Sequence, residues 1–284
     1  MLRRFRVEEP ESVMEASELL ERFGESAKVY AGGTELLLAM KEGLVHYEHL
    51  LNIKKIGFNE VKRENGTINI GALCTHRQLE SSSLLQATLP ALVAMEHNVA
   101  NVRVRQVGTL GGNLCFAEPH ADPGTLLLAL GAKMIAAKAS SERAIESEEF
   151  FVDAYETCLE PDELLTEIKV PVPPQNTGIA YLKFGYLERP SVGVAISLVV
   201  NDKSISDIKI AVGCAGPAPK RAKEAEELLR HKSTEESIRL LPRAGGLAGR
   251  VTQAMSDLHG SQEYKEHIVG VLLKRAFQQS LTQC

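Results

Sequence analysis

The chain has 284 residues, 44% of them hydrophobic and 24% charged, with a formal net charge of −5. That length suits two domains, or one with an appendage, with a core that needs no disulfide staples, and the charge gives no reason to expect nucleic acid or an anionic membrane as a partner. No apolar run reads as a membrane span, and the basic residues 2–6 lead into Glu8, Glu9 and Glu11 rather than an apolar stretch, so a cleaved secretory signal is not expected.

In chain order, residues 11–23 place Val13, Ala16, Leu19, Leu20 and Phe23 on one helical face, with Pro10 before them and Gly24 as a stop. Residues 27–31 read as a short buried strand, Gly32-Gly33-Thr34 as a turn, and 35–41 as a helix closed by Gly43. Strands are expected near 50–53 and on both sides of Asn65-Gly66, a hairpin signal. Residues 84–100 read as one helix, 102–107 as a strand and 108–113 as a second glycine-rich turn. Asp122-Pro123 opens a helix to 132, with Asp at the N-cap and Pro at N1. Strands and turns fill 133–172. Pro173 and Pro174 begin the boundary segment 173–178. Beyond it, strands are expected at 179–186, 192–200 and 205–212, then helices near 217–231, 234–256 and 261–280. Strands followed by helices imply an α+β unit.

The chemistry is concentrated in the two turns. Glycine permits positive φ and removes the Cβ that would hold a ligand away from the backbone, and clustered N–H groups suit a phosphate. In Val29-Tyr30-Ala31-Gly32-Gly33-Thr34-Glu35-Leu36 the next helix adds donors and Thr34 a hydroxyl, or else Thr34 is merely a helix cap. In Thr109-Leu110-Gly111-Gly112-Asn113, Thr109 and Asn113 add side-chain donors. Neither turn has the spacing of a dinucleotide-binding fingerprint or a P-loop. Two such turns suit a pyrophosphate held from both ends. Cys74, Cys115, Cys158, Cys214 and Cys284 are odd in number and scattered, which fits reduced thiols in a cytoplasmic protein and no iron–sulfur cluster in this chain. His76, His97 and His120 have no metal-ligand spacing and receive no role.

The wording of these motifs resembles the FAD-binding subunit of the molybdenum hydroxylases, the group of aerobic carbon monoxide dehydrogenase and bacterial xanthine dehydrogenase. Ala31-Gly32-Gly33-Thr34-Glu35-Leu36 resembles that family's first flavin loop. Thr109-Leu110-Gly111-Gly112-Asn113, with Pro119 and Asp122 after it, resembles the second. Leu164-Leu165-Thr166-Glu167-Ile168 with Pro171 resembles a third stretch, Lys183 stands where the family keeps a flavin-contacting lysine, and residues 264–277 resemble its C-terminal helix.

The resemblance implies an α+β fold. A two-lobed FAD-binding domain of the vanillyl-alcohol-oxidase (PCMH) type would span 1–174, with lobes of about 1–56 and 57–174. A C-terminal lobe at 178–284 would carry a three-stranded sheet and helices. It implies non-covalent FAD, with Val29, Tyr30, Ala31, Gly32, Gly33, Thr34, Glu35, Leu36, Thr109, Gly111, Gly112 and Asn113 at the pyrophosphate, Asp122 and Leu165 nearer the rest of the cofactor, and Lys183 near the isoalloxazine ring. Molybdopterin and [2Fe–2S] clusters would sit only in a large and a small partner subunit, in a dimer of heterotrimers. Electrons would run from those clusters through FAD to an external acceptor. One departure stands out: where many relatives keep an aspartate and often a tyrosine beside the flavin, this chain has Glu188-Arg189-Pro190-Ser191-Val192-Gly193. Two other readings stay open, a self-standing FAD oxidoreductase of the same fold and a flavin-free scaffold subunit.

Overall fold

The computed structural model describes residues 2–185 and 189–284. Of the stretch departing from the family pattern, Glu188 lies outside them, as does Tyr186 at the end of the expected strand. Three sheets organise the chain. Arg6–Glu8, Ala27–Tyr30 and His49–Asn52 form a parallel sheet with His49–Asn52 in the middle. The helices Val13–Phe23 and Leu36–Glu42 make its crossovers, as parallel pairing requires. Ser12 caps the first helix through Glu15 N, and Gly43 ends the second in the left-handed region at φ 77°. Val61–Glu64, Thr67–Gly71, Leu164–Pro171, Lys133–Lys138 and Ser141–Glu146 follow one another in an antiparallel sheet. Its first hairpin turns at Asn65 and Gly66, both at positive φ.

The third sheet pairs Thr177–Phe184, Val192–Asn201 and Ser204–Gly213 antiparallel, and the two-residue strand Lys220–Arg221 adds a fourth to the three expected. Lys223–Leu229, Thr234–Val251 and Gln262–Leu281 are the helices that follow. The two long ones approach so closely that a Cβ on Gly245 would stand 2.8 Å from Gly270 Cα. Among the described residues, no helix is long and apolar enough to cross a membrane.

One helix joins these sheets. Every residue of Pro123–Leu130 is buried, and Leu126–Leu130 share a core with Ile68, Met134 and Ile168 of the second sheet and with Ala195 and Ala211 of the third. At the join, a Cβ on Gly213 would fall 1.9 Å from Thr125 Oγ1.

The region between 84 and 113 departs from expectation. The single helix is two, Ser83–Thr88 and Pro90–His97. Pro90 has no N–H to continue the first and takes the N1 position of the second. Residues 102–107, expected as a strand, form the helix Val102–Val107. The Asn101 side chain caps it by accepting from Arg103 N and Val104 N, and Arg105 turns inward, its Nε 3.1 Å from Glu80 Oε2. The second glycine-rich segment is the start of another helix, Leu110–Phe116, with Thr109 as its N-cap. The helix expected to 132 ends at Leu130, with Gly131 left-handed.

Candidate functional site

A cavity of about 770 Å³ opens between the ends of the first sheet and the face of the second, a volume within the range of small-molecule and cofactor sites. Val29, Ala31, Gly32, Gly33, Thr34, Glu35 and Leu36 line one side, Thr109, Gly111, Gly112 and Asn113 another, and Leu165 a third. The sequence motifs, far apart along the chain, therefore converge on one space.

The first turn presents backbone donors that an anion could accept from. Among the described residues, the amides of Gly32, Gly33, Thr34, Glu35 and Leu36 donate to no protein acceptor; the first N–H taken up is that of Leu37, by Gly33 O at 3.0 Å. Five consecutive free donors beside a cavity form a concave anion site. Both glycines are needed there. Gly33 sits at φ 71°, and its missing Cβ would fall 2.3 Å from the Tyr30 ring. On Gly32 a Cβ would meet Val107 O at 2.2 Å, so this turn lies directly against the backbone leading into the second. Thr34 is not the helix cap, for that position falls to Glu35, whose side chain makes no capping bond. Glu35 pairs instead with Arg189, Oε2 to Nη2 at 3.1 Å.

The second motif works differently from expectation. Its amides are consumed within the chain: Leu110 N by Cys74 O at 2.9 Å, Gly111 N by Ala72 O at 2.8 Å, Gly112 N by Thr109 Oγ1 at 3.1 Å and Asn113 N by Thr109 O at 2.9 Å. Gly112 lies in a helix and has no positive φ. Gly111 is required because a Cβ would stand 2.6 Å from Ala72 Cβ. What the segment offers a ligand is side chain: Asn113 Oδ1 is buried and has no partner among the described residues. A buried acceptor without a partner is costly, and a ligand donor in the cavity would satisfy it.

Leu165 reaches the cavity through an irregularity in its strand. The pairing of Leu164–Pro171 with Lys133–Lys138 shifts register between Leu165 and Glu167, leaving Thr166 extra, with its hydroxyl on Ile135 O at 3.1 Å. Such bulges re-aim side chains beside functional sites.

Tyr30, Asp122 and Lys183 are not on the cavity wall. The Tyr30 ring packs beneath Gly33. Asp122 precedes the Pro123–Leu130 helix but makes no capping bond. Its Oδ2 pairs with Lys183 Nζ at 2.8 Å, and its Oδ1 accepts from the Tyr181 hydroxyl at 2.5 Å. Lys183 also donates to Asn98 O at 2.8 Å, next to the wall residues Val99 and Ala100. Burial pushes the Asp122 carboxyl up, while the Lys183 charge and the hydrogen bonds from Lys183 and Tyr181 oppose that rise. The Tyr181 phenol is raised well above its ordinary value, by burial first and then by the Asp122 charge, and stays a donor.

Two wall elements escaped the sequence reading. His76, buried on the wall, holds Nδ1 2.6 Å from Glu96 Oε2, and Glu96 is buried completely. At another part of the wall, Glu163 is held by Arg143, Oε1 to Nε at 2.7 Å and Oε2 to Nη2 at 2.8 Å. Thr75 and Gln78 form a capping box that places His76 at the first helical position, a signal present in the sequence. Pairing with Glu96 depends on tertiary packing and has no such signal. Cys115 also lies on the wall, its thiol pushed up to about 12 by burial.

A cavity with a strip of free amides, an orphan acceptor and a long apolar flank fits a dinucleotide cofactor, and comparison with known proteins defines the class. The family described as "FAD binding domain in molybdopterin dehydrogenase" matches residues 3–173, and that described as "CO dehydrogenase flavoprotein C-terminal domain" matches residues 189–280. The chain is thus an FAD-binding flavoprotein chain of a molybdopterin-type dehydrogenase. It is 32% identical to the carbon monoxide dehydrogenase medium chain of Hydrogenophaga pseudoflava, over 99% of this chain and 98% of that one. The xanthine dehydrogenase FAD-binding subunit of Escherichia coli O157:H7 is 26% identical, over 90% and 89% of the two chains. A solved structure of carbon monoxide dehydrogenase from H. pseudoflava, lacking the Mo-pyranopterin moiety, superimposes with a TM-score of 0.96, covering 100% of this chain and 99% of the other at 32% identity. The chain belongs to the family of FAD-binding medium subunits of the carbon monoxide and xanthine dehydrogenases.

Proposed function

We propose that this chain carries electrons from the [2Fe–2S] clusters of a small partner subunit to an external acceptor, the electrons having entered at a molybdopterin-bearing large subunit. The observation that carries the reading is the strip of five free amides from Gly32 to Leu36 on the wall of the 770 Å³ cavity. It is a site made for the diphosphate of the cofactor its family binds. FAD, when bound, supplies the ability to take electrons singly and to release a pair.

In this reading the first turn, residues 29–36, grips the diphosphate, with Tyr30 bracing Gly33 from behind. Thr109, Gly111, Gly112 and Asn113 close over it from the helix Leu110–Phe116, contributing the Asn113 side chain rather than backbone donors, its Nδ2 donating to the diphosphate and its Oδ1 accepting from a hydroxyl beside it. Leu165 supplies an apolar surface for the cofactor to lie on. Asp122 and Lys183 act from behind the wall as a neutralised pair that fixes its position near Val99 and Ala100. We assign residues 1–174 to FAD binding and 178–284 to a C-terminal lobe. The assembly is a dimer of heterotrimers in the cytoplasm.

The test is to assay the purified chain alone, then reconstituted with small and large subunits, with flavin and metal analysis of both. The chain alone should hold FAD and pass electrons from an artificial donor to a dye, and should oxidise a hydroxylase substrate only when reconstituted. Substrate oxidation by the metal-free single chain would overturn this reading in favour of a self-standing oxidoreductase.

A further inference from the structure

We propose that His76, oriented by Glu96, contacts the cofactor directly by accepting a hydrogen bond at Nε2 from a hydroxyl of the FAD ribityl chain. The ring is buried yet forms part of the cavity wall. A carboxylate only accepts, so the 2.6 Å contact with Glu96 Oε2 puts the proton on Nδ1. In the neutral ring, Nε2 is then the acceptor. Among the described residues the ring's one hydrogen bond is that of Nδ1.

The charged groups packed nearby do not compete for it. Asp122 is taken by Lys183 and Tyr181, Arg105 is held by Glu80, and on the histidine's own helix Arg77 is likewise on Glu80. Glu96 Oε1 has no partner at all among the described residues. A completely buried carboxylate whose one polar contact is an imidazole is a costly arrangement for packing alone. It is the arrangement that fixes a histidine's tautomer and ring plane for work on its other nitrogen.

Position selects the part of the cofactor. His76 N donates to Gly108 O at 3.0 Å. A Cβ built on Gly108 would stand 3.3 Å from His76 Cδ2 and 3.5 Å from Thr34 Oγ1, so the imidazole and the first turn flank one spot. The turn's free amides provide the donors a diphosphate needs. An acceptor nitrogen cannot serve phosphate oxygens, which also accept, but it suits a hydroxyl of a group joined to that diphosphate, and of the two such groups, the adenosine ribose and the ribityl chain, only the latter is missing from ADP.

This rests on FAD lying in the cavity, and one titration separates the two claims. The full chain is labelled with ¹⁵N-histidine and stripped of flavin, the His76 signals are identified by their loss in His76→Gln, and FAD or ADP is added. The expected result is that the Nε2 resonance moves on saturation with FAD and stays in place with ADP, which lacks the ribityl chain. In parallel, His76→Leu should bind FAD about tenfold more weakly and ADP unchanged. An Nε2 signal that FAD leaves unmoved, or that ADP moves equally, overturns the proposal alone. A chain that takes up no FAD overturns both. Should His76→Leu fail to fold, the titration of the unaltered chain decides.

Discussion

Lys183 Nζ lies 2.8 Å from Asp122 Oδ2, tying the third sheet to the start of the buried helix Pro123–Leu130, and both side chains are buried. Removing one member of such a pair leaves an uncompensated buried charge, which costs about 3–5 kcal/mol. Lys183→Met should therefore lower stability by that order in urea unfolding followed by circular dichroism. Adding Asp122→Asn should recover part of the loss. Equal loss in the single and double variants would show that the charge pair is not the cause.

Gly33→Ala tests the first turn. The substitution forces an alanine to φ 71° with its methyl 2.3 Å from the Tyr30 ring. The left-handed conformation alone costs an L-residue about 1–2 kcal/mol. Relieving the clash moves the amides of residues 32–36. FAD occupancy after gel filtration, read by absorbance, should fall at least several-fold, while the far-ultraviolet spectrum stays close to that of the parent.

Asn113→Ala separates binding from folding. Its Oδ1 is buried without a partner, so the flavin-free protein should keep or slightly gain stability. FAD affinity should fall by about 1–1.5 kcal/mol, roughly tenfold. Fluorescence titration and thermal melting of the stripped protein check the two halves, and a large drop in apoprotein stability would contradict the orphan acceptor.

Glu163 sets a pH dependence. The hydrogen bonds from Arg143 hold its carboxyl below the usual range against burial, which pushes it up. A carboxylate lowered in the folded state adds stability that is complete above its unfolded value, about 4.3, and is lost as pH falls through the folded one. Glu163→Gln should melt lower than the parent at neutral pH, and the difference should narrow between about pH 5 and pH 3. A constant gap across that range would mean that the ion pair carries no proton linkage.

Legibility in the sequence followed the range of the interactions. The first glycine turn, the Asn65-Gly66 hairpin and the helices around Leu20 and Leu126 are written in neighbouring residues, and all appear in the structure, whereas the second glycine motif, expected as a turn, is helical. The helix Val102–Val107 was hidden because its alternating valines match a strand, and only Asn101 as a cap and the Arg105–Glu80 contact override that pattern. The free amides at 32–36 could be guessed from local glycine chemistry. The satisfied amides at 110–113 could not, because Ala72 and Cys74, which consume two of them, come from a strand end some forty residues earlier. The His76–Glu96 and Asp122–Lys183 pairs join residues that meet only when separate elements pack.

The helix Pro123–Leu130 is buried on every side and packs against the sheets on both sides of the join. Its residues fall within the segment matched by the first family, while Ala195, Ala211 and Gly213 on its far side fall within the segment matched by the second. The two matched segments are therefore bound to vary in concert. A hybrid joining residues 1–176 of this chain to the remainder of a distant relative inherits a mismatched seam at Thr125 and Gly213 rather than two working halves, and recombination between relatives should preserve such chains whole.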